Sequence, residues 1–138
     1  MSSLEIIPIA TPNLGDRSYV VGRRGTAIVI DPQRDIDRVL AILDERGWRA
    51  THVLETHFHN DYVSGGLELA RVLDAEYVVP DGMSTRFTAH KVSDKDELQT
   101  GVAQMGGHMA FLASVFKFGM GLGLFVGIGF CGCSATSI

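Results

Sequence analysis

The stretch "ETHFHNDYVSGG", Glu55 to Gly66, sets two histidines and an aspartate at alternate positions, His57, His59 and Asp61, directly after an apolar run. A neutral imidazole nitrogen binds a transition metal at about 2.0 to 2.1 Å, and a carboxylate oxygen does so at similar range. Alternate residues of an extended backbone project to one side, so 57, 59 and 61 share a side while Phe58 and Asn60 point away. Two imidazoles and a carboxylate suit iron and zinc equally, and ligand type alone does not choose the metal. Asp61 either coordinates or stands behind the ligands, accepting a proton or orienting a histidine. The competing reading is hydrogen-bonded structure without a metal, which is the better one for any single histidine; the complete pattern at a strand end favours a ligand loop. His52 and His90 lack such a context and read as structural or exposed.

The elements that must hold this loop are legible as an α/β layered domain. "YVVG" from Tyr19 and "TAIVID" from Thr26 are β-branched runs joined by the turn-like "GRRG", which predicts a hairpin. Asp35 is placed to cap a helix whose apolar positions Ile36, Val39, Leu40 and Leu43 follow the 3.6-residue period, with Gly47 as its stop. "ATHVLETH" from Ala50 predicts a strand ending where the histidines begin. "SGGLELARVL" from Ser64 predicts a second helix with Leu67, Ala70 and Leu73 inward, Thr56 fixes the entry to the loop, and Gly65 and Gly66 let that helix start close to the site. "AEYVVP" from Ala75 predicts another strand, stopped by Pro80. The polar segment Lys91 to Gly101 leads into an edge strand. This order puts the ligand loop at the carboxyl end of a strand, where open sheets keep their sites.

Composition narrows the function classes. A chain of 138 residues holds one modest core. Its formal net charge is -4 with a sequence pI near 5.6, which argues against nucleic acid as a partner. Cys131 and Cys133 are too close for an unstrained disulfide, and two thiolates alone make no structural zinc site; they read as inert small residues. The opening residues do not read as a secretory signal, so a cytoplasmic location is the expectation. All 16 acidic and 11 of the 12 basic residues lie within the first 99 positions. Beyond them, Phe118 to Ile138 is uncharged over 21 residues. That tail reads as buried strands and glycine turns, with a membrane-associated helix carrying GxxxG spacings, or a disordered segment, as alternatives.

At Thr56, His57, Phe58, His59, Asn60, Asp61 and Tyr62 the chain resembles the metallo-β-lactamase-fold family, whose strand-end motif reads T-H-x-H-x-D-H. "VLETHFHNDYVSGGLELA" is similar to the persulfide dioxygenase and glyoxalase II-like branch, and "VIDP", Val29 to Pro32, resembles the family's early strand and turn. The resemblance covers Ile6 to Gly101. It implies a four-layer αβ/βα sandwich of which this chain offers mainly the first half, residues 1–105, followed by a degenerate remnant of the second half over 106–138. It implies His57, His59 and Asp61 as metal ligands, and His108, in "GGHMAFLA", as a match to a later ligand histidine. Tyr62 stands where the family has histidine. A phenol with a pKa of about 10 is a poor ligand at neutral pH, so one metal, Fe(II) or Zn(II), is expected rather than two. Asp61 and Tyr62 are then the residues at the reacting atoms, Asp61 orienting water or ligands and Tyr62 donating a hydrogen bond to the oxygen substrate.

In "GLGLFVGIG", Gly121 to Gly129, Leu122 falls at a family aspartate, and the final family histidine has no match. The chain is therefore expected to be truncated or degenerate and catalytically incomplete alone. The resemblance implies persulfide oxidation or, as the alternative, thioester hydrolysis, on a small thiol or thioester substrate. A second copy or a rhodanese-domain partner is the expected complement; a non-catalytic fragment with a partner- or membrane-binding tail is the remaining alternative.

Overall fold

A computed structural model describes residues 3–12, 15–57, 59, 63–93, 96–102 and 104–106. A single six-stranded mixed sheet dominates them, its strands adjacent in chain order. Strands β1 (Glu5–Ala10), β2 (Arg17–Arg23) and β3 (Thr26–Ile30) are antiparallel neighbours. From β3 onward the sheet is parallel, through β4 (Arg49–Leu54), β5 (Glu76–Pro80) and β6 (His90–Val92). The expected α/β class is what the chain adopts. The switch follows from the connections. Two residues join β2 to β3, and Arg24 and Gly25 both take left-handed backbone, φ 53° and 80°, as a tight hairpin of this twist requires. Helix α1 (Asp37–Arg46) separates β3 from β4, and α2 (Gly66–Leu73) separates β4 from β5, long enough crossovers for parallel pairing. Pro8 lies in the edge strand β1, where its missing N–H costs the sheet least.

The alternation of side chains divides the core into two faces. Val20, Ala27, Val29, Val53 and Val79 point to the face that receives Val39 and Leu43 of α1 and Leu69 and Ala70 of α2. Tyr19, Val21, Ile28, Ile30, Leu54, Val78 and Val92 point the other way and pack with Leu98 and Val102. Leu98 belongs to β7 (Glu97–Gln99), which pairs with β8 (Gln104–Gly106) outside the main sheet. The polar segment thus holds two strands, β6 as the edge of the main sheet and β7 in a separate ribbon.

Two details of the helices depart from the sequence reading. Gly47 does end α1 in left-handed backbone, but no side chain caps its start at Ile36. The Asp35 carboxylate is drawn instead to Arg38, 2.6 Å from Nε. Helix α2 begins at Gly66 rather than Ser64, and its deepest residue is Leu69, fully buried, while Leu67 and Leu73 are only partly buried. The tail 118–138, Cys131 and Cys133 lie outside the described residues; among the described residues no helix is long and apolar enough to cross a membrane.

His52 and His90, outside the histidine loop, share one partner. On the face away from the helices His52 Nε2 lies 3.2 Å from Glu76 Oε2, and His90 Nδ1 lies 2.6 Å from Glu76 Oε1. Burial pushes the His52 imidazole below its ordinary 6.5, with Glu76 pulling the other way. A depressed folded pKa favours the neutral ring, so this contribution to stability is whole above about 6.5 and declines as the pH falls below it. An NMR titration is expected to place His52 below 6.5, and lower still in Glu76→Gln, which removes the opposing charge.

Candidate metal centre

Because β3 and β4 are parallel neighbours, their carboxyl ends open at the same edge of the sheet. The residue after β3 is Asp31 and the residues after β4 are Glu55, Thr56 and His57. Asp31 is buried and holds a left-handed backbone, φ 50°, a conformation costly for a residue with a side chain. Its surroundings fix it there. Its N–H donates to Leu54 O at 2.8 Å, and its carbonyl accepts the Ser18 hydroxyl at 2.6 Å.

The Asp31 carboxylate organises the loop. Oδ1 accepts the Thr56 backbone N–H at 2.7 Å, and Oδ2 accepts the Thr56 hydroxyl at 2.5 Å. Having spent its only proton on Asp31, the Thr56 hydroxyl faces His57 Nδ1, 2.8 Å away, as an acceptor. His57 therefore carries a proton on Nδ1, which makes Nε2 its candidate donor nitrogen. His59 Nε2 lies 3.1 Å from Asp31 Oδ1 and 3.2 Å from Glu55 Oε2, so Nε2 keeps its proton when the ring is neutral, and Nδ1 becomes a donor nitrogen once its own proton is released. One carboxylate thus selects the tautomer of both rings, the task that carboxylates behind metal-bound histidines perform. The ring centroids of His57 and His59 are 4.0 Å apart.

Asp31, His57 and His59 bring one ligand atom each within 4.8 Å of one another. With both Asp31 oxygens engaged by Thr56, the two imidazoles are the candidate ligands and Asp31 stands behind them. Two nitrogen donors with fixed tautomers fit a transition-metal ion. The site is strongly polarised: burial would lower the His59 imidazole, but Asp31 and Glu55 outweigh it and lift it to about 9. Burial pushes the Glu55 carboxyl up, opposed by His59 and Ser64.

Of the residues expected to act here, His57 and His59 are brought together; Asp61, Tyr62 and His108 lie outside the described residues, as do Phe58 and Asn60. Thr56 does fix the loop entry, through the Asp31 carboxylate. The sequence reading gave no role to Asp31 or Glu55. The signal was present in both cases, a carboxylate closing an apolar strand, "TAIVID" and "THVLE". The glycine pair does what was expected of it. A Cβ on Gly65 would collide with Gln33 O, and one on Gly66 would collide with Glu55 Oε1 and come within 2.7 Å of Tyr77. Gly66→Ala is expected to cost about 2 kcal/mol by overpacking, read as a lower midpoint in urea denaturation with an unchanged slope.

Residues 14–119 match the family model of the metallo-beta-lactamase superfamily. The chain is 37% identical over 116 residues to the hydroxyacylglutathione hydrolase of Methylococcus capsulatus, a match covering 76% of this chain and 44% of that protein. It is 35% identical over 94 residues to the hydroxyacylglutathione hydrolase of Methylobacillus flagellatus, covering 68% and 37%. Among solved structures, a metallo-beta-lactamase from Staphylococcus aureus superposes with TM-score 0.68 at 27% identity, over 75% of this chain and 34% of that one. ETHE1 from Myxococcus xanthus superposes with TM-score 0.67 at 22% identity, over 74% and 46%; at that identity the likeness is one of fold. The chain spans less than half the length of each of these four proteins.

Proposed function

The chain belongs to the metallo-beta-lactamase superfamily, a family that implies a metal, and on that premise we propose that it binds one Fe(II) or Zn(II) ion through His57 and His59 and acts on a small thiol derivative. The observation that carries this is the pair of imidazoles meeting at 4.0 Å with their tautomers set from behind by Asp31. When bound, such an ion supplies Lewis-acid chemistry or, as iron, redox chemistry. The protein's own part is to hold the two nitrogens and to keep their protons turned inward. Asp61 and His108 are the proposed further ligands, and Asp61 and Tyr62 the groups beside the substrate. One metal rather than two follows from Tyr62, which stands where a nitrogen ligand would serve a second ion.

Two reactions suit this arrangement. Oxidation of a glutathione persulfide-like substrate accords with the one-metal site and with the loop sequence. Hydrolysis of a thioester is favoured by a different observation, the 35% and 37% identity to the two hydroxyacylglutathione hydrolases. The chain covers 37% and 44% of those relatives, so turnover is proposed for an assembly in which a second copy, or a subunit such as a rhodanese domain, completes the donor set.

Metal analysis of the purified protein beside His57→Ala tests the reading. One equivalent of iron or zinc in the parent, lost in the variant, is the expected result, and metal-free protein after incubation with both ions would sink it. Oxygen uptake with glutathione persulfide, set against cleavage of a hydroxyacyl-glutathione thioester, then separates the two reactions.

A further inference from the structure

Glu55 is the last residue before the histidine loop, and its side chain is among the most deeply buried, 1% exposed. Its backbone N–H donates to Val78 O at 2.9 Å, extending the contact between β4 and β5 beyond the last strand residue. Oε1 accepts the hydroxyls of Ser64 and, at 3.1 Å, of Tyr77. Ser64 Oγ in turn accepts the N–H of Gly66, the first residue of α2, at 2.9 Å. Oε2 faces His59 Nε2 at 3.2 Å. One carboxylate thus joins the end of β4, the middle of β5, the start of α2 and one proposed ligand.

Most of this could be served by an uncharged side chain. An amide oxygen would accept the Ser64 and Tyr77 hydroxyls equally well, and burying a carboxylate is costly unless it is fully engaged. What an amide cannot do is accept at all three contacts: with its oxygen toward Ser64 and Tyr77 its NH2 meets the Nε2 proton of His59 donor to donor, and with its oxygen toward His59 its NH2 meets both hydroxyls, which must turn their protons away. The glycine at position 66 agrees with this arrangement, since any Cβ there would strike Oε1.

We propose that Glu55 is a positioning residue for the metal centre: together with Asp31 it holds the His59 ring with Nε2–H inward and Nδ1 toward the metal. The inference rests on the metal-binding reading above, and the test separates the two. Glu55→Gln sets the contact to His59 against the two hydroxyls, whereas Ser64→Ala and Tyr77→Phe each remove one bond to Oε1 and leave that contact in place. Zinc titration is expected to show affinity weakened 10- to 100-fold in Glu55→Gln, and the visible spectrum of the Co(II)-loaded protein is expected to change. Ser64→Ala and Tyr77→Phe are expected to bind zinc within twofold of the parent even where they melt earlier. Parent-like affinity in Glu55→Gln, or an equal loss in Tyr77→Phe, would overturn the proposal.

A metal-free arm stands apart from the metal reading. In the parent the hydrogen-bonded His59 Nε2 proton is expected as a protected signal in ¹H–¹⁵N spectra, and in Glu55→Gln that signal is expected to shift and exchange faster. Should the parent take up no metal, the metal reading fails, and an unchanged signal in this arm sinks the role of Glu55 as well. If the glutamine variant does not fold, Glu55→Asp, whose carboxylate falls short of His59 by one methylene, carries the same measurement with the same expected change.

Discussion

Asp31→Ala is expected to lose about 4 kcal/mol of stability and to bind no metal at neutral pH. Two buried donors of Thr56 would be left without an acceptor, at about 1–3 kcal/mol each, and alanine in the left-handed conformation that Asp31 adopts adds about 1 kcal/mol. A domain of this size has roughly 5–15 kcal/mol in all, so the variant should melt far earlier than the parent. Asp31→Asn separates stability from metal binding. Asparagine tolerates the backbone, its carbonyl oxygen can take the Thr56 N–H, and the Thr56 hydroxyl can turn to accept from the amide. It then no longer acts as the acceptor that fixes the His57 proton on Nδ1, and the tautomer of that ring is released. Most of the stability is expected to be kept while metal affinity falls 10- to 100-fold. Thermal denaturation and zinc titration of the two variants read these outcomes directly; an Asn variant that binds like the parent would refute the role of Asp31 behind the imidazoles.

The same residue shows where sequence reading stops. The hairpin from β2 to β3, the period of α1 and its stop at Gly47 were legible because each is decided within a few residues of chain. Asp35 looked like a cap for the same local reason, yet Arg38, one turn on, offers its carboxylate a charged partner. The histidine loop was legible because three potential ligands in five positions is a dense signal. Asp31 was not, because its meaning lies 25 and 28 residues away, at Thr56 and His59, and exists only once β3 and β4 are set side by side in parallel. Glu55 adjoins the motif, but its hydroxyl partners come from the start of α2 and from β5. A lone carboxylate at a strand end carries no periodicity, and the register that gives it a partner is a property of the sheet.

His57→Ala and His59→Ala are expected to abolish metal binding alike and to differ sharply in stability. His57 is partly exposed, with its Nδ1 on Thr56 Oγ1, so its loss is expected to cost under about 1 kcal/mol. The His59 side chain is 5% exposed and stands between two carboxylates of similar burial. Its loss leaves Asp31 and Glu55 facing each other with no cation between them, and removing one partner of a buried ion pair costs about 3–5 kcal/mol. That charge balance also ties stability to the metal. In the metal-free protein the imidazolium offsets the two carboxylates, and a bound divalent ion would take over that charge as the ring gives up the Nδ1 proton. Metal should therefore raise the melting temperature of the parent and leave His59→Ala unchanged. Denaturation of both variants with and without zinc decides it: equal stability losses would mean that His59 is no more embedded than His57, and the buried charge arrangement at the end of β4 would have to be abandoned.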